Sequence, residues 1–465
     1  MTIKHSSGSA KCTLTLISGK LHLLANRFRC SVKFALTLIL FLVSTMFIHI
    51  RAENYKGHEE FVERDGLPNF FHKVNNKEKV KIAYMGGSIT QQDGYRVHSF
   101  NWFEETFPET EFQEVVAAIG GTTSKFGVFR LYRDVLRFNP DLFFVEFAVN
   151  DLGLSEGEIR KSMEGIVRQT WKYNPDIDIC FVYTARCSMF NDYQNGNFPK
   201  SVKIMEEVAN HYGIPTINMG LMPAKMEAEG RLTCQGSLPS DPLKEPIVYS
   251  QDGVHPHEES GHVLYANAIS RAMSATKDSD AVITHSLPEL ALSPNNYENA
   301  TMVVLEESML QGPWNNITDS MGQIIRNYKC TSILPTWKGY TGQSVISAEF
   351  TGNMIGIYQV AGPTACRMDV SIDGESESTF LAFDRYSTYH RPAQVFFSQD
   401  LPHRKHHIQI TVNTADFDKR SVIHPNRRDR YDANPQDYAN NFLNAVGLLV
   451  NGKIITNTVY IDPSL

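Results

Sequence analysis

From Val80 to about Ser274 the chain alternates short apolar runs with longer segments of helical period. The runs are Val80–Met85, Phe112–Ile119, Leu142–Val149, Ile179–Tyr183 and Ile214–Met219. Each is short and nearly continuous, as expected of strands buried on both faces of a parallel sheet. Helical patterns lie between them near Asn101–Phe107, Gly127–Arg137, Glu156–Tyr173, Lys200–Tyr212 and Glu258–Met273. Five strands with crossover helices predict a flavodoxin-like three-layer α/β/α sandwich over residues 80–285, joined to the leader by a connecting segment, 53–79. Leu221–Gln251 reads as a long loop over one edge of a site.

Beyond about residue 290 the period changes to two. Met368, Val370 and Ile372 alternate with Asp369, Ser371 and Asp373, and Asp373-Gly374 supplies a turn. Ile408, Ile410 and Val412 repeat the pattern, and Gly447–Val450, Asn451-Gly452 and Lys453–Thr456 read as a hairpin with a type I′ turn. Residues 290–465 are therefore expected to form a jelly-roll-like β-sandwich. The two patterns fit within 465 residues, a length that allows two or three domains.

Charge and cysteine content refine this picture. Residues 1–51 carry Lys4, Lys11, Lys20, Arg27, Arg29, Lys33 and Arg51 and no acid. The net charge of −7 therefore divides into +7 for this head and −14 for the rest. An acidic body argues against a nucleic-acid partner. Within the leader, residues 1–52, Phe34–Ile50 is a largely apolar run flanked by cations, readable as a signal-peptide core or as a membrane anchor. Either reading implies export, with a secreted, periplasmic or anchored enzyme whose catalytic domain lies outside the cytoplasm. Five cysteines remain beyond the leader, Cys180, Cys187, Cys234, Cys330 and Cys366, too few and too scattered for a disulfide framework, although any single bridge is allowed. No ligand spacing indicates a metal, and no cofactor motif is present.

Four blocks carry candidate chemistry. The first strand ends in Met85-Gly86-Gly87-Ser88, which would project a hydroxyl from the carboxyl end of a parallel strand, where such sheets bind ligands. A turn with a capping serine gives the same pattern. Ala118-Ile119-Gly120-Gly121 follows the second strand and offers an unobstructed N–H, or simply a structural turn. Phe147-Ala148-Val149-Asn150-Asp151 ends the third strand; its carboxamide, with the N–H groups of Ser88 and Gly121, would make a three-donor oxyanion hole, and an Asn-Asp turn is the plainer alternative. In Asp252-Gly253-Val254-His255 the spacing lets the carboxylate hold Nδ1–H of the imidazole while Nε2 faces the serine.

Taken together and in this order, the four blocks resemble the signature of the SGNH (GDSL) hydrolases over about residues 80–275. The resemblance implies Ser88 as nucleophile, Asp252 and His255 as the rest of a triad, and Ser88, Gly121 and Asn150 as oxyanion donors. Gly87 stands where the family usually has Asp and Ala148 where it usually has Gly, departures at positions that supply no reacting group. The activity implied is hydrolysis of an ester through an acyl-serine intermediate, without cofactor or metal.

Export, the absence of an apolar lid-like segment and the appended β domain point to an acylated carbohydrate as the substrate, with O-acetyl groups as the ester hydrolysed. The β domain itself resembles accessory domains of carbohydrate esterases. A lipid esterase or lysophospholipase, a sugar O-acyltransferase and a catalytically idle carbohydrate-binding protein are the alternatives. Trp337, Tyr340, Tyr358 and Tyr386 are candidates for a sugar-stacking face or for core packing. Gln91, Gln92, Asp93 and Arg96 follow Ser88 and are candidates to line the substrate crevice, with an exposed turn at Asp93-Gly94 as the plainer reading. His403–His407 and Arg427, Arg428 and Arg430 read as solvated loops.

Overall fold

The computed structural model describes residues 59–277, 281–327, 334–375 and 377–455. The leader and Cys330 lie outside the described residues.

The α/β half is built on six strands: β1 (Phe61–Val62), β2 (Val80–Gly86), β3 (Phe112–Ala118), β4 (Leu142–Val145), β5 (Asp178–Tyr183) and β6 (Thr216–Asn218). Their order is β1-β6-β5-β4-β2-β3. β2 to β6 are mutually parallel and β1 is an antiparallel edge. Counted from β2, the parallel strands follow the flavodoxin-like order 2-1-3-4-5, whose switch point lies between β2 and β4. The helices are α1 (Pro68–Asn75), α2 (Ser88–Gln91), α3 (Tyr95–Thr106), α4 (Ser124–Asp134), α5 (Glu156–Tyr173), α6 (Cys187–Gln194), α7 (Lys200–Tyr212), α8 (Leu221–Ala228) and α9 (Gly261–Thr276). Every residue of β4 and β5 is buried, which accounts for their continuous apolar runs. Helix α5 starts on a capping box in which the Ser155 and Glu158 side chains each bond the other's N–H.

Three expectations for this half need correction. Residues 61–75, taken as part of a connecting segment, instead supply β1 and α1, and Phe70 and Phe71 are fully buried. Leu221–Gln251 is not one long loop: it holds α8 and two short parallel strands, β7 (Leu232–Gln235) and β8 (Ile247–Ser250). The third apolar run leaves the sheet at Val145, although Glu146 to Val149 stay buried beneath the site.

The C-terminal half is antiparallel. Its strands are β9 (Ala300–Val304), β10 (Leu310–Gln311), β11 (Trp314–Asn316), β12 (Trp337–Gly339), β13 (Val345–Ala361), β14 (Arg367–Ile372), β15 (Ser378–Leu381), β16 (Arg391–Ser398), β17 (Arg404–Asn413) and β18 (Leu443–Ile455). They form one branched sheet around β13 and β18. β17 pairs with β13 over Val345–Gly352 and β16 over Ile355–Ala361, so one long strand serves two stretches of sheet. Ile346, Phe350, Met368, Val370, Ile408, Ile410 and Val412 share its core, the alternating positions of the sequence.

The expected Asn451-Gly452 hairpin is absent, because β18 runs straight through both residues with β13 as a continuous partner. Gly452 faces Gly352 at a register shift, and both have positive φ. A Cβ on Gly452 would collide with the Thr351 carbonyl, so the glycine serves close strand approach rather than reversal. Residues 404–407 likewise belong to β17 instead of a loop, and His406 is buried on Asp373 and the Pro402 carbonyl.

The β half packs on the α/β half through α4. Phe126 meets Tyr358 with ring centroids 5.1 Å apart, Phe129 meets Phe396 at 5.2 Å, and the buried Lys125 bonds Glu158 at 2.7 Å and Gln399 at 2.9 Å. The connection is fastened along α5: Glu164 accepts the N–H groups of Leu292 and Ser293, and Gln169 donates to the Tyr297 and Ala300 carbonyls. Helix α4, which follows directly from the Gly120-Gly121 turn, is thus clamped between the halves.

Candidate active site

Ser88 sits at the first position of α2, immediately after β2, and is half-buried. Two glycines precede it for reasons of space. A Cβ on Gly86 would overlap the Thr90 side chain, and one on Gly87 would overlap the Asn150 carboxamide. The absence of a side chain at Gly87 is therefore what lets Asn150 reach the turn that carries Ser88.

The second block closes on the same turn. Gly120 donates its N–H to Gln91 Oε1 at 2.7 Å, and a Cβ at Gly120 would stand 3.5 Å from Ser88 Cβ. Gly121 follows with φ +74°, a left-handed conformation suited to glycine, and nothing lies within 4 Å of where its side chain would be. Asp151, next to Asn150, is buried and accepts the Ser124 N–H at 2.9 Å, anchoring the Asn150 turn to the start of α4. Burial pushes its carboxyl up to about 7, against the hydrogen bonds from Ser124.

The fourth block lies on the loop between β8 and α9. Asp252 Oδ1 accepts the N–H groups of Val254 (2.9 Å) and His255 (2.7 Å), and Oδ2 lies 2.7 Å from His255 Nδ1. His255 Nε2 lies 2.8 Å from Ser88 Oγ. With Nδ1–H donated to the carboxylate, Nε2 is left as the acceptor for the serine proton. Partial burial raises the Asp252 carboxyl, and hydrogen bonds from His255 and Val254 outweigh that and hold it below the ordinary carboxylate range. Gly253 has φ +77° and makes this tight loop feasible.

The loop is also held from outside. Gly253 donates to Ser250 Oγ at 3.0 Å and accepts from the Cys187 N–H at 2.9 Å, while Ser250 Oγ donates to the Cys234 carbonyl at 2.7 Å. Cys187 and Cys234 are joined in a disulfide, with 47 residues of sequence separation. The sequence allowed a bridge but did not name it. Cys180 and Cys366 are free and buried.

Sequence reasoning missed three contributors: the disulfide, Gln91 as the partner of Gly120, and Glu146. The signal for Glu146 was a lone acid in the buried run Leu142–Val149, where an unpaired carboxylate would be costly. Arg96 is buried and paired with Asp93 and Glu114 rather than lining the crevice. His262 is buried and accepts the Tyr95 N–H at 3.0 Å, and burial depresses it to about 3, so the ring is neutral. Of the four candidate stacking aromatics, Tyr358 lies in the interface core, while Tyr340 and Tyr386 are exposed. Among the described residues no group of three or more His, Cys, Asp or Glu is arranged to hold a metal ion, and no helix is long and apolar enough to cross a membrane.

Residues 84–262 match the model of the GDSL-like Lipase/Acylhydrolase family. Among solved structures, a two-domain esterase (CEX) active on acetylated mannans aligns with 83% of this chain and 94% of its own, at 21% identity and a TM-score of 0.61. A second structure of that esterase aligns with 82% of this chain and 93% of its own, also at 21% identity and TM-score 0.61. The acetylxylan esterase Axe2 from Geobacillus stearothermophilus aligns with 42% of this chain and 94% of its own, at 16% identity and a TM-score of 0.35. Among curated proteins no sequence match is found.

Proposed function

Taking residues 84–262 as a GDSL-like lipase/acylhydrolase domain, we propose that the protein is a serine esterase that removes O-acetyl groups from carbohydrate. The observation that carries this reading is the unbroken relay from Asp252 through His255 to Ser88 Oγ, with contacts of 2.7 and 2.8 Å.

His255 Nε2 takes the Ser88 proton as Oγ attacks the acyl carbon. Asp252 holds the tautomer and offsets the charge of the imidazolium. The carbonyl oxygen becomes an anion facing the Ser88 and Gly121 N–H groups and the Asn150 carboxamide. His255 then returns the proton to the departing sugar hydroxyl. Water repeats the sequence on the acyl-enzyme and releases the acid.

The carbohydrate assignment draws on the two-domain likeness to an esterase active on acetylated mannans. Action outside the cytoplasm draws on the leader and on the Cys187–Cys234 bridge, since disulfides persist in oxidising compartments. The test is acetate release from acetylated mannan, acetylated xylan and acyl-chain esters of increasing length, comparing the native protein with Ser88→Ala. Release from the glycans that is lost in Ser88→Ala supports the reading; preference for long acyl chains rejects the carbohydrate substrate. Transfer of acetyl to an added sugar in preference to water rejects hydrolysis.

A further inference from the structure

Glu146 is fully buried at the point where the β4 run leaves the sheet. All the bonds that reach its carboxylate come from donors. Thr184 Oγ1 donates to Oε1 at 2.6 Å and Thr90 Oγ1 to Oε2 at 2.9 Å; burial raises the carboxyl above its ordinary range, and these two hydroxyls with the backbone N–H groups of Gly87 and Ala148 draw it back down. Tyr95 OH lies 2.8 Å from Thr90 Oγ1 and, as donor to it, fixes the direction of that hydroxyl toward Glu146. A carboxylate, which only accepts, satisfies four donors at once; a carboxamide would set its own N–H groups against some of them. An apolar residue would leave two hydroxyls and two peptide N–H groups buried without acceptors.

The donors come from the elements that build the site. Gly87 immediately precedes Ser88, Thr90 lies on the same short helix as Ser88, Ala148 is two residues before Asn150, and Thr184 directly follows β5. We propose that Glu146 is a positioning residue of the esterase, one whose carboxylate ties the Ser88 turn, through the Thr90 hydroxyl and the Gly87 N–H, to the Asn150 turn, through the Ala148 N–H, and so sets the nucleophile and the oxyanion donor in register. The inference rests on the hydrolytic reading above. Glu146 touches neither substrate nor the reacting atoms; it acts through the two turns. Misplacement of catalytic groups by about 1 Å costs ~10²-fold in rate, and this is the scale on which Glu146 operates.

A second buried acid provides the control. Glu164 is equally buried and accepts from Tyr212 OH and the N–H groups of Leu292 and Ser293, none of them a site residue. Glu146→Gln, Thr184→Val and Glu164→Gln are compared with native protein for kcat, KM, melting temperature and the second-order rate of fluorophosphonate labelling at Ser88. Glu146→Gln is expected to lower kcat and the labelling rate together, by ~10–10²-fold, with KM within about twofold. Thr184→Val should show a smaller fall of the same kind, and Glu164→Gln a lower melting temperature with unchanged kcat. Near-native kcat in folded Glu146→Gln overturns the proposal, as does an equal loss of kcat in Glu164→Gln. Should Glu146→Gln fail to fold, Thr184→Val against Glu164→Gln decides the matter by the same criteria. Failure of the esterase reading itself is distinguished by native protein that hydrolyses no ester or retains activity as Ser88→Ala.

Discussion

The two sides of the site are built differently. Ser88, Gly121 and Asn150 stand on turns at the ends of buried parallel strands, with Gly87 against the Asn150 carboxamide, Gly120 against Ser88 and Thr90 bonded to the buried Glu146. Asp252 and His255 stand on a surface loop, their side chains 51% and 39% exposed. That loop is held by bonds within itself and by the Cys187–Cys234 bridge. The Ser88 side owes its geometry to the core, where many packed groups must move together. The histidine side owes its geometry to a few local tethers, each removable by itself.

The comparison orders the expected effects of substitution. Ser88→Ala should lower kcat most, by ~10⁶-fold, and Asp252→Ala less, by ~10⁴-fold, as in triad enzymes where the members act as a unit. Steady-state kinetics on a soluble acetyl ester reads both; a loss in Asp252→Ala as large as that in Ser88→Ala would show that the carboxylate does more than hold the imidazole. Asn150→Ala should cost ~10²–10³-fold in kcat through the lost oxyanion donor, and retention of native turnover would remove Asn150 from the oxyanion hole.

Replacing Cys187 and Cys234 by serine should reduce stability by roughly 2–4 kcal/mol, measured by denaturant unfolding. Among catalytic steps it should disturb those that depend on the histidine loop. Fluorophosphonate labelling and ester turnover should therefore both slow relative to native protein. A variant as stable as native protein would show that the bridge contributes nothing to the loop.

The last effect concerns pH and is absent near neutrality. His262 ordinarily titrates near 6.5 and is depressed by burial to about 3 in the folded protein. The unfolded chain therefore binds a proton that the native ring refuses, and stability falls as pH drops from about 6.5 toward about 3. Asp252 behaves differently: held below its ordinary 3.8, it contributes stability above that value which is lost only at more acid pH. His262→Asn, which keeps an acceptor for the Tyr95 N–H, should flatten the decline in melting temperature between about pH 6.5 and 3 relative to native protein. Parallel curves would show that His262 is not the source.

The parallel sheet and the four chemical blocks were legible because each rests on a local pattern. Buried parallel strands must be apolar throughout, and Gly-Gly-Ser, Gly-Gly, Asn and Asp-x-x-His each fall where a strand or loop ends. Glu146 was passed over because an acid inside an apolar run looks like an interruption until its four donors are seen. Gly452 misled because Asn-Gly is also the sequence of a tight turn, and only its partner Gly352 distinguishes close strand approach from reversal.

What the sequence determined by itself was periodicity and the order of chemical groups along the chain, since both depend on neighbours a few residues apart. What only the tertiary structure decided was contact between distant segments: the pairing of Cys187 with Cys234, the four donors on Glu146, the clamping of α4 by the β half, and the 2.8 Å approach of His255 to Ser88 across 167 residues. Such contacts follow from packing of the whole chain, where the same local residues admit several partners and burial selects one.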